Sequence, residues 1–109
     1  MAWLVSGTRV LASAEVLEGH RARAKGLIGR SGVEGAVVLE RCAWIHTLGM
    51  GFALDVAYLD RDGTVIKIAR MQQHRVAAPV IGSRTVIEAQ AGSFTRWDLH
   101  IGDNVEVRD

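Results

Sequence analysis

The sequence predicts a mainly β fold with one short helix, an α+β protein whose compact barrel- or sandwich-like sheet spans residues 1–109 as a single domain. The chain has 109 residues, the length of one domain, and 49% of them are hydrophobic, which is enough for a core. Its short apolar runs are separated by glycines, of which there are twelve, against one proline. Asp62 and Gly63 lie between two such runs, and this pair is typical of a tight β-hairpin.

Apolar runs bounded by turn residues predict the individual strands. We expect strands at residues 35–40, 52–60, 64–70 and 84–90, with a last strand or hairpin between residues 99 and 107. The turn at Asp62 and Gly63 joins the second strand to the third. A further turn is expected at residues 91–92, where a glycine follows the predicted strand 84–90.

Two segments depart from this β pattern. Residues 17–28 contain two alanines and have no β-branched residue before Ile28. Leu17, Ala24, Leu27 and Ile28 fall on one helical face, so a short helix is predicted there. Residues 71–83 show no clear period, and long loops of this kind are uncommon in small domains. This segment could form a lid over a site or an irregular crossover between strands, and the crossover is the commoner arrangement.

Composition excludes several function classes. The net charge is +1, so the chain is not a cationic coat for nucleic acid, and we expect no nucleic-acid partner. Cys42 is the only cysteine, which excludes an internal disulfide and a paired-cysteine motif. We expect no secretory leader, because the apolar start of the sequence stops at Ser6, and no apolar run approaches the roughly 18 residues that cross a membrane. We therefore expect a cytoplasmic protein with no membrane segment and no cofactor.

Asp55 is the first candidate for chemistry. On a strand it would share one face with Ala53, Ala57 and Leu59, and an ionised carboxylate among such neighbours requires partners. One interpretation makes Asp55 a ligand-binding or acid–base group. The commoner one makes it a structural lock, which accepts backbone N–H bonds or pairs with an arginine.

His46 is the second candidate. If residues 43–47 and 52–55 formed a hairpin, Trp44 would lie opposite Asp55, and His46 would lie on the same face. A His–Asp pair of this kind can hold one imidazole tautomer for general-base catalysis. The commoner interpretation makes His46 a hydrogen-bonded structural residue. A metal triad with Asp55 and Glu88 can be drawn, but no pair of histidines has ligand spacing, so no metal is expected.

A basic cluster accompanies the predicted helix and the residues that follow it. Arginines such as Arg23 and Arg30 could hold a phosphate or carboxylate through bidentate hydrogen bonds. The commoner interpretation is a solvated helix face. Neither a phosphate-binding loop nor a dinucleotide-binding glycine motif is present.

Five ordered blocks of the sequence resemble one family. They are residues 23–30, with Arg followed by Gly-Leu and a second Arg; residues 44–56, with His-Thr, Met and Asp-Val; residues 62–65, with Asp-Gly and Val; residues 86–92, with Glu and Gly; and residues 99–105, with Gly-Asp and Val. In this order the blocks resemble the domain of unknown function 192 family, also called uncharacterised protein family 0127, and the resemblance extends over most of the chain.

This resemblance implies a compact β-rich domain with a helix against it, and it implies no established reaction. The polar positions that the family repeats match those chosen from chemistry. They give a candidate ligand-binding set of Arg23, Arg30, His46, Thr47, Asp55 and Glu88.

We therefore predict a non-catalytic binding domain with a polar pocket for a small polar or anionic ligand, or for a protein partner. The alternative is a hydrolase- or lyase-like enzyme in which His46 and Asp55 act as a base and the group that orients it. The chain is expected to be a monomer or a weak homo-oligomer.

Overall fold

A computed structural model describes residues 2–17, 34–43, 45 and 51–109 of the chain. In these ranges the chain forms seven strands and one short helix. They are β1 (Ala2–Ser6), β2 (Arg9–Leu17), β3 (Ala36–Glu40), β4 (Leu54–Leu59), β5 (Val65–Met71), β6 (Thr85–Gln90), α1 (Ser93–Arg96) and β7 (Glu106–Arg108).

The seven strands make one sheet in the order β5-β4-β6-β3-β2-β1-β7. Every neighbouring pair is antiparallel except β2 and β3, which run parallel. The centre of the sheet is covered on both faces, and all six residues of β4 are buried. This explains why β4 reads as a nearly continuous apolar run instead of an alternation of apolar and polar residues.

Two hydrophobic clusters lie on the opposite faces of the sheet. The first contains Val37, Leu54, Val56 and Tyr58, together with Cys42 from the chain after β3. The second contains Leu4, Val38, Ala57, Leu59, Ile87, Ala89, Phe94, Leu99 and Val105. Successive residues of a strand point to opposite faces, so neighbours along β4 belong to different clusters.

The two edges of the sheet approach each other through the segment before β7. Thr64 forms an isolated bridge with Asn104, and the Val65 N–H donates to the carbonyl of Asp103 at 2.9 Å. These bonds bring the start of β5 close to β7 without a continuous ladder between the two strands. The sheet is therefore strongly curled but not closed, which confirms the predicted barrel- or sandwich-like character of a mainly β domain.

The connection between β5 and β6 is an irregular crossover, as the commoner interpretation of this segment predicted. Because β4 lies between these two strands, the connecting residues 72–84 must pass over it. Ala77 and Val80 pack against the first cluster, and their N–H groups donate to the carbonyls of Ile45 and Ala43. The crossover therefore covers one face of the sheet.

The predicted strands at residues 35–40, 52–60, 64–70 and 84–90 are confirmed within one or two residues at each end. In the tail segment 99–107, a turn and an isolated bridge take up most of the residues, and the only strand, β7, begins at Glu106. The first two strands were not predicted, and Leu17 ends β2 instead of beginning a helix. The rest of the predicted helix lies outside the described residues. Among the described residues, no helix is long and apolar enough to cross a membrane.

Candidate functional site

Asp55 is buried on β4 and faces the second cluster. Its cross-strand neighbours are Arg70 of β5 and Ala89 of β6. Ala89 and Ala57 both belong to the second cluster, so the face predicted for Asp55 is confirmed. The small alanines leave room above the carboxylate for groups from outside the sheet.

Both carboxylate oxygens of Asp55 are occupied by hydrogen bonds. Oδ1 accepts from Arg70 Nε at 3.0 Å, and Oδ2 accepts from the N–H groups of Gly92 and Phe94 at 2.9 and 3.1 Å. Gly92 is the N-cap of α1 and has no side chain to cap it. Asp55 therefore supplies from β4 the acceptor that an N-cap side chain normally provides, and its negative charge suits a helix N-terminus.

Arg70 connects this buried carboxylate to solvent. The Asp55 side chain is 6% exposed and the Arg70 side chain 53% exposed. Only Nε of the guanidinium is bonded to Asp55, and no other described residue accepts from its two Nη groups. A guanidinium has donors and no acceptor, so its outer edge remains a pair of positively charged donors in a fixed orientation.

A cleft of about 490 Å³ opens beside Arg70. Its apolar lining comes from Ile68, Phe94 and Leu99. Its polar lining comes from Arg70, Asp98 and His100. His100 Nε2 lies 3.5 Å from Asp98 Oδ1, and both side chains are exposed. The cleft therefore combines an apolar floor with an oriented cation at its rim.

Glu88 lies on the opposite face of the sheet from Asp55. It pairs with Val37 and Val56, both members of the first cluster, whereas Asp55 pairs with Ala89 of the second. The Glu88 residue is only 5% exposed. Burial raises its pKa to about 7. The pKa of Tyr58 is raised as well. Burial is the largest cause, and electrostatic repulsion from Cys42 and then Glu88 adds to it.

The sheet does not bring the predicted site residues into a single pocket. Asp55 and Glu88 point away from each other, so one small ligand or metal ion cannot contact both. The other four candidates, Arg23, Arg30, His46 and Thr47, lie outside the described residues. Asp55 accepts backbone N–H bonds and pairs with an arginine, which are the two arrangements expected of a structural lock.

The hairpin that would place Trp44 opposite Asp55 is wrong. Both edges of β4 at Asp55 are taken, one by β5 and the other by β6. The carbonyls of Ala43 and Ile45 instead accept from the crossover between β5 and β6. The hairpin rested on local spacing, and it could not compete with strands that pair over long distances. The hypothesis that His46 and Asp55 act together as a base and its orienting group therefore stays a prediction. The hairpin that suggested it does not form.

Sequence reasoning missed Arg70, Asp98 and His100. The Asp-Gly turn did predict that β4 and β5 pair, which places an arginine of β5 near Asp55. Counting residues outward from the turn does not give the correct cross-strand partner of Asp55, because the pairing of β4 and β5 shifts by a residue between Tyr58 and Leu59. Asp98 and His100 come from the turn after α1, and nothing in their spacing indicates the cleft.

Fold and site together define a small, curled β-sheet domain with a polar-rimmed cleft on one face. The profile of the domain of unknown function 192 family, described as an uncharacterized ACR, matches residues 3–107. The chain therefore belongs to this family, and the resemblance noted in the sequence is confirmed.

Two solved structures share the fold. One is a protein of unknown function from Novosphingobium aromaticivorans, 22% identical, with a TM-score of 0.79, covering 96% of this chain and 82% of the other. The second is a proposed transcription regulator from Sinorhizobium meliloti, 21% identical, with a TM-score of 0.79, covering 97% and 91%. At these identities the likeness shows the fold alone. No curated protein matches the chain significantly.

Proposed function

We propose that this protein is a non-catalytic binding domain whose cleft beside Asp55 and Arg70 takes a small polar ligand with an anionic group. The observation that carries the proposal is the orientation of Arg70. Its Nε is held at 3.0 Å by a buried carboxylate, while the Arg70 side chain is half-exposed and lines the cleft. An arginine held in this way loses less conformational freedom when it binds a carboxylate or phosphate.

The choice of an anion follows from the hydrogen bonds already made around the cleft. Both oxygens of Asp55 are occupied, and Asp98 lies beside His100. The remaining capacity at Arg70 is donor only, which matches an anionic group. The apolar floor would contact the remainder of the ligand. A cytoplasmic location, absence of nucleic-acid binding and a monomeric or weakly associated state stay predictions.

The test is a titration followed by two-dimensional ¹H–¹⁵N NMR, with inorganic phosphate and acetate as probes. We expect saturable shifts that cluster on the amides of residues 68–70 and 98–100. Arg70→Gln should weaken binding at least about tenfold, because a charged hydrogen bond contributes roughly 1.5–3 kcal/mol.

Arg61→Gln is the matched control, since Arg61 is exposed on the hairpin between β4 and β5 and the substitution removes the same charge. It should leave the affinity unchanged. If both substitutions weakened binding equally, the loss would come from the lower net charge of the protein and not from the position of Arg70. Absence of saturable binding to either probe would contradict the proposal.

A further inference from the structure

An apolar turn lies on the crossover between β5 and β6. The Ser83 N–H donates to the carbonyl of Val80 at 3.1 Å, and Gly82 has a φ of 88°. This is the geometry of a type II turn with glycine as its third residue. Ile81 is the second residue of that turn and is 99% exposed. A hydrogen-bonded turn therefore holds a large aliphatic side chain entirely in solvent.

The residues before Ile81 extend this apolar surface. Val76 is also largely exposed, as are Ala78 and Pro79, while Ala77 and Val80 pack against the first cluster. A single exposed apolar residue requires no explanation, but several that adjoin on one short segment mark a site of interaction. The cleft at Arg70 is on the other face of the sheet, so the two surfaces are separate.

The charge of this part of the chain has one sign. Residues 63–87 contain four lysines or arginines and no aspartate or glutamate, although the chain as a whole is nearly neutral. Arg75 and Arg84 flank the apolar run, and both are exposed. Positive charge next to exposed aliphatic side chains is the combination that binds the interface of an anionic membrane.

We propose that residues 75–84 dock on an anionic lipid surface. Ile81 and Val76 would enter the headgroup region, and Arg75 and Arg84 would contact the anionic headgroups. Each basic residue near such a surface contributes about 1 kcal/mol, so the binding is weak, reversible and sensitive to salt. This inference does not depend on the proposed ligand cleft.

The chain offers a matched control turn. Residues 100–103 repeat the geometry, because the Asp103 N–H donates to the His100 carbonyl and Gly102 has a φ of 98°. Ile101 takes the place of Ile81 and is 64% exposed. Asp98 and Asp103 flank this second turn in the sequence, where Arg75 and Arg84 flank the first, so the charge of its own segment does not favour anionic lipid. The nearby Arg9 guanidinium is engaged by the carbonyls of Trp97 and Asp98.

The experiment is cosedimentation of the full chain with vesicles at low ionic strength. One set of vesicles contains phosphatidylcholine alone, and the other contains phosphatidylcholine mixed with phosphatidylserine. We expect binding to the mixed vesicles only. Ile81→Ser and Arg84→Gln should each lower the partition coefficient roughly fivefold, and Ile101→Ser should leave it unchanged. Thermal unfolding of each variant verifies that it is folded.

Three outcomes would overturn the proposal. Equal binding to both kinds of vesicle would contradict a role for anionic headgroups. Equal loss in Ile81→Ser and Ile101→Ser would show that this turn has no special part. Absence of binding to any vesicle would exclude lipid and would leave a protein with an acidic, apolar socket as the partner to seek.

Discussion

Asp55 joins three parts of the molecule at one carboxylate. It links its own strand to Arg70 of the neighbouring strand and to the N-terminal turn of α1. The two backbone N–H groups are the more important partners for stability, because Phe94 is buried and its N–H has no water to replace a lost acceptor. Arg70 is half-exposed, so its ion pair with Asp55 is partly screened by solvent.

This difference gives a prediction about the two partners. Asp55→Ala should lower the free energy of unfolding by about 3 kcal/mol, since it leaves buried donors without an acceptor. Arg70→Gln should lower it by less than about 1 kcal/mol. Urea denaturation measures both values. If Arg70→Gln cost as much as Asp55→Ala, the ion pair and not the helix cap would be the main contribution of Asp55.

Glu88 makes the stability of the protein depend on pH. Burial raises its pKa from 4.5 to about 7 in the folded state, so the folded protein holds this proton more tightly than the unfolded chain does. The contribution of Glu88 to the stability of the folded state is therefore greatest at low pH, and it is lost as pH rises from about 4.5 through about 7. Above that pH, folding has to bury an ionised carboxylate, which costs free energy.

Glu88→Gln should remove this dependence. We expect the variant to gain stability relative to the parent as pH rises, by an amount on the order of 3 kcal/mol above neutral pH. The measurement is urea denaturation of both proteins across this pH range. Glu106→Gln, at an exposed position, removes the same charge and should follow the parent. A parent and a Glu88→Gln variant with parallel pH profiles would disprove the role of Glu88.

At the scale of elements, the hairpin between β4 and β5 is held at its turn and at its contact with the tail. Asp60 Oδ1 accepts from the N–H groups of Asp62 and Thr64, both at 2.9 Å. Gly63 has a φ of 83°, and its carbonyl accepts from the Val105 N–H at 2.8 Å. The turn thus fixes the hairpin and forms one side of the junction between the two edges of the sheet.

Gly63 has little room for a side chain. A Cβ atom there would lie 2.6 Å from the carbonyl oxygen of Val105, a contact that requires the backbone to move. Gly63→Ala should therefore destabilise the protein by more than about 3 kcal/mol, through this contact and the unfavourable φ.

Gly102→Ala separates the two effects. Gly102 also has a positive φ, 98°, but has no atom within 4 Å of the Cβ position. It should cost only about 1–2 kcal/mol, the penalty of the left-handed conformation. Chemical denaturation of the two variants measures both losses of stability. Equal losses would mean that the backbone at Val105 moves away from the added Cβ atom at little cost.

At the scale of the whole molecule, a single sheet separates two hydrophobic clusters. The central strands β3, β4 and β6 supply side chains to both. A cavity on one face should therefore loosen the strands that support the other face, and the two clusters should unfold together. That residues 1–109 act as one folding domain is thus a prediction that can be tested from either side of the sheet.

Leu54→Ala and Leu4→Ala create cavities in the first and second clusters, respectively, where both side chains are fully buried. Each should lower the free energy of unfolding by about 3 kcal/mol while preserving one transition. Tryptophan fluorescence and circular dichroism should give the same midpoint for each variant. Separate midpoints from the two probes would indicate that the clusters unfold independently.

The sequence by itself determined the positions of β3 to β6, the Asp-Gly hairpin and the membership of the family. These features depend on neighbouring residues: the apolar runs, the glycines that allow a positive φ, and the order of short motifs. The sequence also identified Asp55 as a carboxylate among apolar neighbours on a strand, and Glu88 through the family block at residues 86–92.

Only the tertiary structure decided how these residues are combined. In the folded sheet, Asp55 and Glu88 lie on opposite faces. Arg70 is the ion-pair partner of Asp55, and the N-terminus of α1 donates to the same carboxylate. The tertiary structure also gave β4 the partners β5 and β6 in place of the expected hairpin. The physical reason is that strand pairing joins distant parts of the chain, and one irregularity, such as the shift at Tyr58 and Leu59, changes which side chains meet.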